Sequence, residues 1–180
     1  MDHTDHVKLI RNGVPRPEPG PPPPTWADLG SRRGAFTLAL AEVLPPGGVI
    51  YSVDRDAVSL REQERAMRMR FPGTVAHYLS ADFTHPLNLP PLDGVVMANS
   101  LHFHRNKELI IRTVKSYLKP AGRLILVEYG TDRGNPWVPY PLSYRTWEKL
   151  AVRCGFSETR LLMTRPSRFL GQIYSAVSWS

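Results

Sequence analysis

The sequence predicts an α/β fold in which a doubly wound, mostly parallel sheet of seven strands carries helices on both faces. From residue 25 onward, short apolar runs alternate with longer amphipathic stretches, a pattern typical of right-handed βαβ units. Pro- and Gly-rich turns separate the runs. The last two runs lie close enough in sequence to pair as a hairpin, so we expect the C-terminal strand to be antiparallel.

Each predicted strand is a short apolar run, and each predicted helix is a longer amphipathic stretch. The seven strands are Thr25–Leu29, Val49–Val53, Val75–Leu79, Leu92–Ala98, Arg123–Glu128, Glu158–Met163 and Phe169–Val177. The helices between them are Ala35–Leu44, Ala57–Arg70, Lys107–Leu118 and Tyr144–Cys154. We expect Lys119–Gly122 to form a turn after the third of these helices, and Arg165–Ser167 to form the turn of the C-terminal hairpin.

Residues 1–24 differ from the rest of the chain because they contain seven prolines. Proline has a fixed φ and no N–H donor, so we expect an extended or polyproline-like lead-in that lies along the domain. His6–Ile10 is the only stretch of this lead-in that we expect to pack. Residues 25–180 are then expected to form a single domain, which fits a chain of 180 residues.

The composition is that of an ordinary globular protein, with 42% hydrophobic and 22% charged residues. No apolar run approaches the roughly 18–20 residues that a membrane span needs, and the first residues, MDHTDHVKLIRNG, lack the apolar stretch of a secretory signal. A single cysteine, Cys154, excludes an intramolecular disulfide and a zinc site built on several thiolates. We therefore expect a cytoplasmic protein that binds neither a metal nor a membrane.

The formal net charge of +7 leaves two interpretations of the protein's partners open. A basic protein is favoured to meet RNA, DNA or an anionic substrate. The arginines are scattered along the chain, however, and an arginine-rich composition explains the charge equally well.

Chemically distinctive residues follow four of the predicted strands. In an open parallel sheet, ligands bind beyond the carboxyl ends of the strands, at the point where the strand order reverses. The residues at these ends are Gly30 and Gly34 after the first strand, Asp54 after the second, Asp82 and Phe83 after the third, and Asn99, Leu101 and His102 after the fourth. The glycines permit a tight turn near a helix N-terminus, and a carboxylate such as Asp54 can accept both hydroxyls of a ribose. The pattern predicts a binder of an adenosine-containing ligand.

With these motifs the chain resembles the class I S-adenosylmethionine-dependent methyltransferases, over roughly residues 25–178. The resemblance rests on ADLGSRRGAFTLALA, VIYSVDRD, SADF, LDGVVMANSLHF, LKPAGRLILVEY and the C-terminal segment CGFSETRLLMTRPSRFLGQIYSAVSW. It implies a seven-stranded Rossmann-like domain with an antiparallel last strand, and S-adenosylmethionine as the cofactor. The cofactor-binding residues that it implies are Asp28, Gly30, Ser31, Arg32, Gly34, Asp54, Arg55, Asp82, Phe83, Asn99 and Leu101.

The chain departs from the family at Arg32, which stands where the glycine-rich loop usually has its middle glycine. Three interpretations remain open. The side chain tilts out of the turn, or it pairs with the carboxylate of the cofactor, or it obstructs the pocket and marks a non-catalytic homologue. A dinucleotide oxidoreductase is disfavoured, because its fingerprint needs a glycine at this position as well.

Methyl transfer from a sulfonium is an in-line displacement, so the protein mainly aligns the reactants and needs a base only for a protonated acceptor. His102 is the candidate base because it follows the fourth strand, beside the expected methyl position. The segment of residues 128–140, which begins with Glu128 at the end of the fifth strand, is the candidate acceptor wall. Its proposed substrate-binding residues are Tyr129, Arg133, Trp137 and Tyr140, which could stack an aromatic or planar anionic compound.

Three functional hypotheses follow. The first is a methyltransferase acting on an O or N atom of a small molecule, since the Asn/Asp-Pro-Pro-Tyr/Phe motif of amino methylation is missing after Asn99. The second is an RNA methyltransferase, favoured by the net charge. The third is a non-catalytic binding module, favoured by Arg32. The N-terminal 24 residues are too short for a full cap, so we expect that the acceptor site is open, that an oligomer partner covers it, or that the acceptor is large.

Overall fold

The computed structural model describes residues 1–16 and 22–180, which form one seven-stranded sheet flanked by helices. The helices are α1 (His3–Arg11), α2 (Ala35–Val43), α3 (Ala57–Arg70), α4 (Lys107–Ser116) and α5 (Tyr144–Arg153), with a short 3₁₀ helix at Leu101–Phe103. The strands are β1 (Thr25–Leu29), β2 (Val49–Asp54), β3 (Val75–Ser80), β4 (Leu92–Ala98), β5 (Leu118–Tyr129), β6 (Glu158–Ser167) and β7 (Gly171–Trp179). Across the described residues, no helix is both long and apolar enough to cross a membrane.

The strand order is β3-β2-β1-β4-β5-β7-β6. The first five strands in this order pair in parallel, and β7 is antiparallel to both of its neighbours. The predicted mostly parallel sheet with an antiparallel C-terminal strand is therefore confirmed. Because β1 lies between β2 and β4, the order reverses at β1, and a crevice opens beyond its carboxyl end.

Apolar side chains cover both faces of the sheet, as expected for a doubly wound fold. One buried cluster joins the sheet to α4 and α5, and the other joins it to α1, α2 and α3. Trp26 on β1 is fully buried because the adjacent position on β4 is Gly94. A Cβ atom at Gly94 would lie 2.4 Å from the Trp26 ring, so this glycine makes the space for the indole.

The expectation of a non-helical lead-in over residues 1–24 is wrong for its first half, which contains α1. Asp2 and Asp5 form a capping box at the start of this helix. Its apolar residues Val7, Leu9 and Ile10 are buried against the domain, so the expected packing of His6–Ile10 extends into a whole helix. The polyproline expectation for residues 17–21 lies outside the described residues.

Two turn assignments were also wrong. Lys119–Gly122 lies within β5, where an irregularity shifts the register against β4 and Ala121 has φ +61°. The hairpin turn lies at residues 168–170 rather than at Arg165–Ser167, which still pair with β7. Pro166 is tolerated there because β6 is an edge strand, where one side of the backbone needs no ladder partner.

Candidate functional site

A cavity of about 1040 Å³ lies beyond the carboxyl ends of β1, β2 and β4, where the topology places it. Most of the site residues predicted from the sequence line it: Asp28, Gly30, Ser31, Arg32, Asp54, Arg55, Asp82, Phe83, Asn99, His102, Tyr129 and Trp137. The predicted residues outside its lining are Gly34, Leu101, Arg133 and Tyr140. Residues far apart in the chain therefore meet at one edge of the sheet.

The loop between β1 and α2 makes a tight turn that is tied to the end of β2. Gly30 and Arg32 both have left-handed backbone conformations, with φ +79° and +48°. The backbone N–H of Arg32 donates to Oδ2 of Asp54 at 2.8 Å, while Oδ1 of Asp54 accepts the N–H of Asp56 at 2.9 Å. The Arg32 side chain is exposed at the cavity rim, which favours the interpretation that it tilts out of the turn.

A buried polar network under this loop holds the turn in which Arg32 has its left-handed conformation. Gln63 of α3 is fully buried, and its Nε2 donates to Oγ of Ser31 at 3.2 Å and to the carbonyl of Arg32 at 3.3 Å. A Cβ atom at Gly34 would lie 2.2 Å from Cγ of Gln63, so Gly34 makes room for this amide. Sequence reasoning missed Gln63, because nothing in its local sequence distinguishes it from other polar helix residues.

Asp28 at the end of β1 is a buried carboxyl group. Its Oδ2 accepts the hydroxyl of Thr37 at 2.7 Å, and only 1% of the residue is exposed. Burial raises the pKa of Asp28 to about 7. Ionisation of this group is therefore sensitive to any charge that enters the cavity.

The ends of β3 and β4 add a carboxylate, an aromatic ring and an unpaired amide oxygen. Asp82 accepts the N–H and hydroxyl of Thr84 at 2.9 and 2.7 Å and lies 3.5 Å from Nη1 of Arg55. Phe83 packs edge-on against His104, with ring centroids 5.3 Å apart. Asn99 has φ +51°, and no group in residues 1–16 or 22–180 donates to its buried Oδ1.

His102 forms a buried pair with Glu128 at the end of β5. Nδ1 of His102 lies 2.7 Å from Oε2 of Glu128, and Oε1 accepts the backbone N–H groups of Leu101 and His102, both at 3.1 Å. Both side chains are almost entirely buried, yet His102 borders the cavity. Sequence reasoning placed Glu128 at the end of the fifth strand and in the candidate acceptor wall but missed its pairing with His102, although an acidic residue at the end of a parallel strand was an available signal.

Aromatic side chains that sequence reasoning did not assign complete the cavity. His6 from α1 packs against Phe36 of α2, with ring centroids 5.0 Å apart. Phe103 and Phe169 also line the cavity and are about half exposed. Thus α1 borders the site, although the sequence led us to expect that the N-terminal segment lies along the domain as a lead-in.

Besides Gly34, three of the predicted site residues lie outside the cavity lining. The Tyr140 backbone N–H donates to the carbonyl of His102 at 2.9 Å, and its ring faces Nζ of Lys107 at 5.6 Å. Arg133 is exposed, and Leu101 is buried in the core. Of the segment of residues 128–140 that was predicted as the acceptor wall, Tyr129, Trp137 and Val138 line the cavity.

Residues 27–126, which carry most of this site, are similar to a known protein family. A family model described as a methyltransferase domain matches residues 27–126, which is more than half of the chain. The chain belongs to this methyltransferase family. The matched residues include the strand ends that carry Asp28, Asp54, Asp82 and Asn99. The search of proteins with a curated description finds no match to the sequence of this chain.

Solved structures confirm the class I methyltransferase fold. YcgJ from Bacillus subtilis is 11% identical with a TM-score of 0.76, and the match covers 99% of both chains. A candidate O-methyltransferase from Nostoc punctiforme is 20% identical with a TM-score of 0.75; the match covers 98% of this chain and 56% of that one. The 1,6-didemethyltoxoflavin N1-methyltransferase from Burkholderia thailandensis, solved with its substrate and S-adenosylhomocysteine, is 15% identical with a TM-score of 0.73, covering 99% and 78%. The chain thus spans about half the length of the Nostoc punctiforme relative and nearly the whole length of YcgJ.

The cavity of the methyltransferase fits S-adenosylmethionine, the cofactor of the family. That molecule brings hydroxyl and ammonium donors and a sulfonium cation, and four carboxyl groups border the cavity: Asp28, Asp54, Asp56 and Asp82. The unpaired Oδ1 of Asn99 offers one more buried acceptor. Among residues 1–16 and 22–180, no cluster of three or more His, Cys, Asp or Glu side chains could hold a metal ion.

The raised pKa of Asp28 predicts a pH dependence of stability. In the unfolded chain this carboxyl loses its proton near its ordinary pKa of 3.8, but the folded protein keeps the proton up to about pH 7. Between these values the folded state binds more protons, so stability falls as the pH rises. From about pH 5 to about pH 8, we expect the free energy of unfolding to fall by about 2–3 kcal/mol more in the wild type than in Asp28→Asn. Urea titrations of both proteins measure this difference, and parallel pH profiles would contradict the prediction.

Proposed function

We propose that this domain transfers the methyl group of S-adenosylmethionine to an O or N atom of a small-molecule acceptor. The observation that carries the proposal is the single cavity that joins the acidic and glycine-containing strand ends to the buried His102–Glu128 pair. One side of this cavity suits the cofactor, and the other holds a group that can accept a proton.

The proposed cofactor contacts follow from the acceptors that the strand ends present. Each oxygen of Asp54 accepts one backbone N–H and keeps a lone pair for a ribose hydroxyl. Asp82 and Phe83 would hold the adenine amino group and ring face. Gly30, Ser31 and Gly34 shape the turn for the methionine portion, whose ammonium is a donor for Oδ1 of Asn99.

His102 is the proposed general base. Its Nδ1 faces the Glu128 carboxylate, which only accepts hydrogen bonds, so Nδ1 carries the proton and Nε2 keeps its lone pair. Glu128 is a positioning residue, because its contacts to Nδ1 and to two backbone N–H groups hold the ring at the cavity wall. Proton removal of this kind contributes about 10²- to 10⁴-fold in rate, and alignment of the reactants adds to it.

Structural relatives support a small acceptor. One of them methylates 1,6-didemethyltoxoflavin, and CrArsM from Chlamydomonas reinhardtii is an arsenic(III) methyltransferase. An RNA acceptor is the second candidate, favoured by the exposed arginines Arg32, Arg33 and Arg55 that line the cavity and could meet phosphates.

Calorimetric titration with S-adenosylmethionine and S-adenosylhomocysteine tests the cofactor assignment. Because the Arg32 side chain is exposed, we expect micromolar binding by the wild type and a change of less than about threefold in Arg32→Gly. Arg33→Gly is the matched control, since it removes the neighbouring exposed guanidinium from the same turn. Binding by Arg32→Gly alone would show that Arg32 obstructs the pocket. Absence of binding by all three proteins would overturn the proposed function.

A further inference from the structure

One side of the cavity is walled by aromatic rings. This aromatic wall consists of His6, Phe103, Tyr129, Trp137 and Phe169. The rings are contributed by α1, the 3₁₀ helix, the end of β5, the following loop and the β6–β7 hairpin, so they converge from five segments. The wall meets the base directly, because the Tyr129 ring centroid lies 5.8 Å from those of His102 and Phe169.

The exposure of these rings points to a ligand surface rather than to core packing. Trp137 is 75% exposed and Phe169 is 50% exposed, although both border a cavity. The loop that carries Trp137 is held in place: Oδ1 of Asn135 accepts the N–H groups of Trp137 and Val138 at 2.9 and 2.8 Å, and Val138 is buried. A fixed loop therefore presents an exposed indole at the mouth of the site. An exposed aromatic ring of this kind can bind a planar ligand by stacking against it.

The aromatic wall also lacks fixed charge. None of its five members is an acid, a lysine or an arginine, and the arginines that line the cavity follow β1 and β2 instead. Burial lowers the pKa of His6, so this imidazole is neutral at neutral pH. Two carboxylates lie near the wall, and both are already paired. Glu128 is occupied by Nδ1 of His102 and two backbone N–H groups, and Asp5, next to His6 in α1, pairs with Arg165. A carboxylate or ammonium on the acceptor would therefore gain no charged partner from the aromatic wall.

We infer that the acceptor is a neutral, planar aromatic compound and that the methylated atom is its hydroxyl oxygen. This inference rests on the proposed methyltransferase function. The base beside the wall indicates which acceptor atom is methylated, because only an atom that carries a proton needs a base. A phenolic hydroxyl has a pKa of about 10 and keeps its proton at neutral pH, so its methylation needs His102. A neutral aromatic amine already carries a free lone pair, and a carboxylate has no proton to lose.

The proposed methyl transfer needs only His102, Glu128, water and a sulfonium methyl donor. The hydroxyl proton passes to Nε2 of His102 as the oxygen forms its bond to the methyl carbon. The carbon–sulfur bond breaks, and its electron pair stays on sulfur, which becomes a neutral thioether. The imidazolium is stabilised by Glu128 and later releases its proton to water.

Three naphthalenes of the same shape test the acceptor class: 2-naphthol, 2-naphthylamine and 2-naphthoate. We expect 2-naphthol to bind the protein saturated with S-adenosylhomocysteine at least about tenfold more tightly than 2-naphthoate does. We also expect 2-naphthol to be the only one of the three that is methylated from labelled S-adenosylmethionine. A short RNA hairpin is included as a fourth acceptor.

Variants of the exposed rings distinguish the loss of acceptor binding at the aromatic wall from a general effect of substitution on folding. Trp137→Ala and Phe169→Ala are expected to raise the KM for 2-naphthol about three- to tenfold with kcat unchanged, since each removes one stacking surface. Met69→Ala is the matched control, because Met69 on α3 is 84% exposed and lies outside the cavity lining.

Each outcome decides between the proposals. Preferential methylation of the amine, the carboxylate or the RNA would overturn the inference and leave the methyltransferase function standing. So would failure of 2-naphthol to bind a protein that binds S-adenosylhomocysteine, or ring variants that behave like Met69→Ala. A protein that does not bind S-adenosylhomocysteine would overturn the proposed function, and the inference with it.

Discussion

Replacing Glu128 with glutamine is expected to lower kcat for methyl transfer about 10²- to 10⁴-fold while cofactor binding changes little. The amide keeps an oxygen for the N–H groups of Leu101 and His102, but it presents an NH₂ group to Nδ1 of His102 where the carboxylate presented an acceptor. Nδ1 must then accept, so the ring proton moves to Nε2, the nitrogen that is proposed to take the proton of the acceptor. The ring keeps its place and loses its lone pair for catalysis.

Three measurements distinguish this tautomer effect from a loss of structure. The melting temperature and the affinity for S-adenosylhomocysteine of Glu128→Gln should stay close to those of the wild type. The deficit in kcat should shrink for a more acidic, nitro-substituted naphthol, because such a hydroxyl depends less on a base. Glu148→Gln is the control, since Glu148 is an exposed acid that accepts a hydrogen bond from the Tyr144 hydroxyl at 3.2 Å and lies outside the cavity lining. A kcat within about threefold of the wild type would show that His102 is not the base.

Replacing Asp54 with alanine is expected to weaken binding of S-adenosylhomocysteine at least about 100-fold. The carboxylate is proposed to accept the ribose hydroxyls, and charge-assisted hydrogen bonds contribute about 1.5–3 kcal/mol each. The same substitution leaves the N–H groups of Arg32 and Asp56 without their acceptor, so the turn that shapes the pocket also loosens. Calorimetric titration measures the affinity directly.

Asp93→Ala is the matched control for Asp54→Ala. Asp93 lies at the amino end of β4, at the opposite edge of the sheet, and its carboxylate also holds two groups: the N–H of Thr25 and Nζ of Lys119, both at 2.8 Å. We expect Asp93→Ala to lower stability and leave the affinity for S-adenosylhomocysteine unchanged. If the two variants bind equally well, the assignment of Asp54 to the ribose is wrong.

The strand ends could be predicted because each depends on a short local pattern. Asp54 and Asp82 follow apolar runs, and the carboxyl ends of parallel strands share one edge of the sheet. The same reasoning failed for α1, where seven prolines over residues 1–24 outweighed the capping box formed by Asp2 and Asp5. It also misplaced the hairpin turn, because an edge strand tolerates Pro166.

Residues that act through long-range contacts could not be found in the same way. Gln63 holds the Arg32 turn from a helix 31 residues away in sequence, and Glu128 lies 26 residues from His102. His6 and Phe169 come from opposite ends of the chain to the same cavity. Of these side chains, Glu128 alone has a local signal, its place at the end of a parallel strand, and the local sequence reveals the partner of none of them, because packing determines those partners.

The sequence by itself determined the class of fold, the edge of the sheet that carries the site and the acidic residues along it, because alternation of apolar runs and strand-end residues are local properties. Only the tertiary structure decided which side chains pair across that edge. It placed Gln63 under the Arg32 turn, buried Glu128 against His102 and brought α1 to the aromatic wall. These contacts join residues that are distant in sequence. They form only when the helices pack against the sheet and bury those residues, so a local sequence pattern does not reveal them.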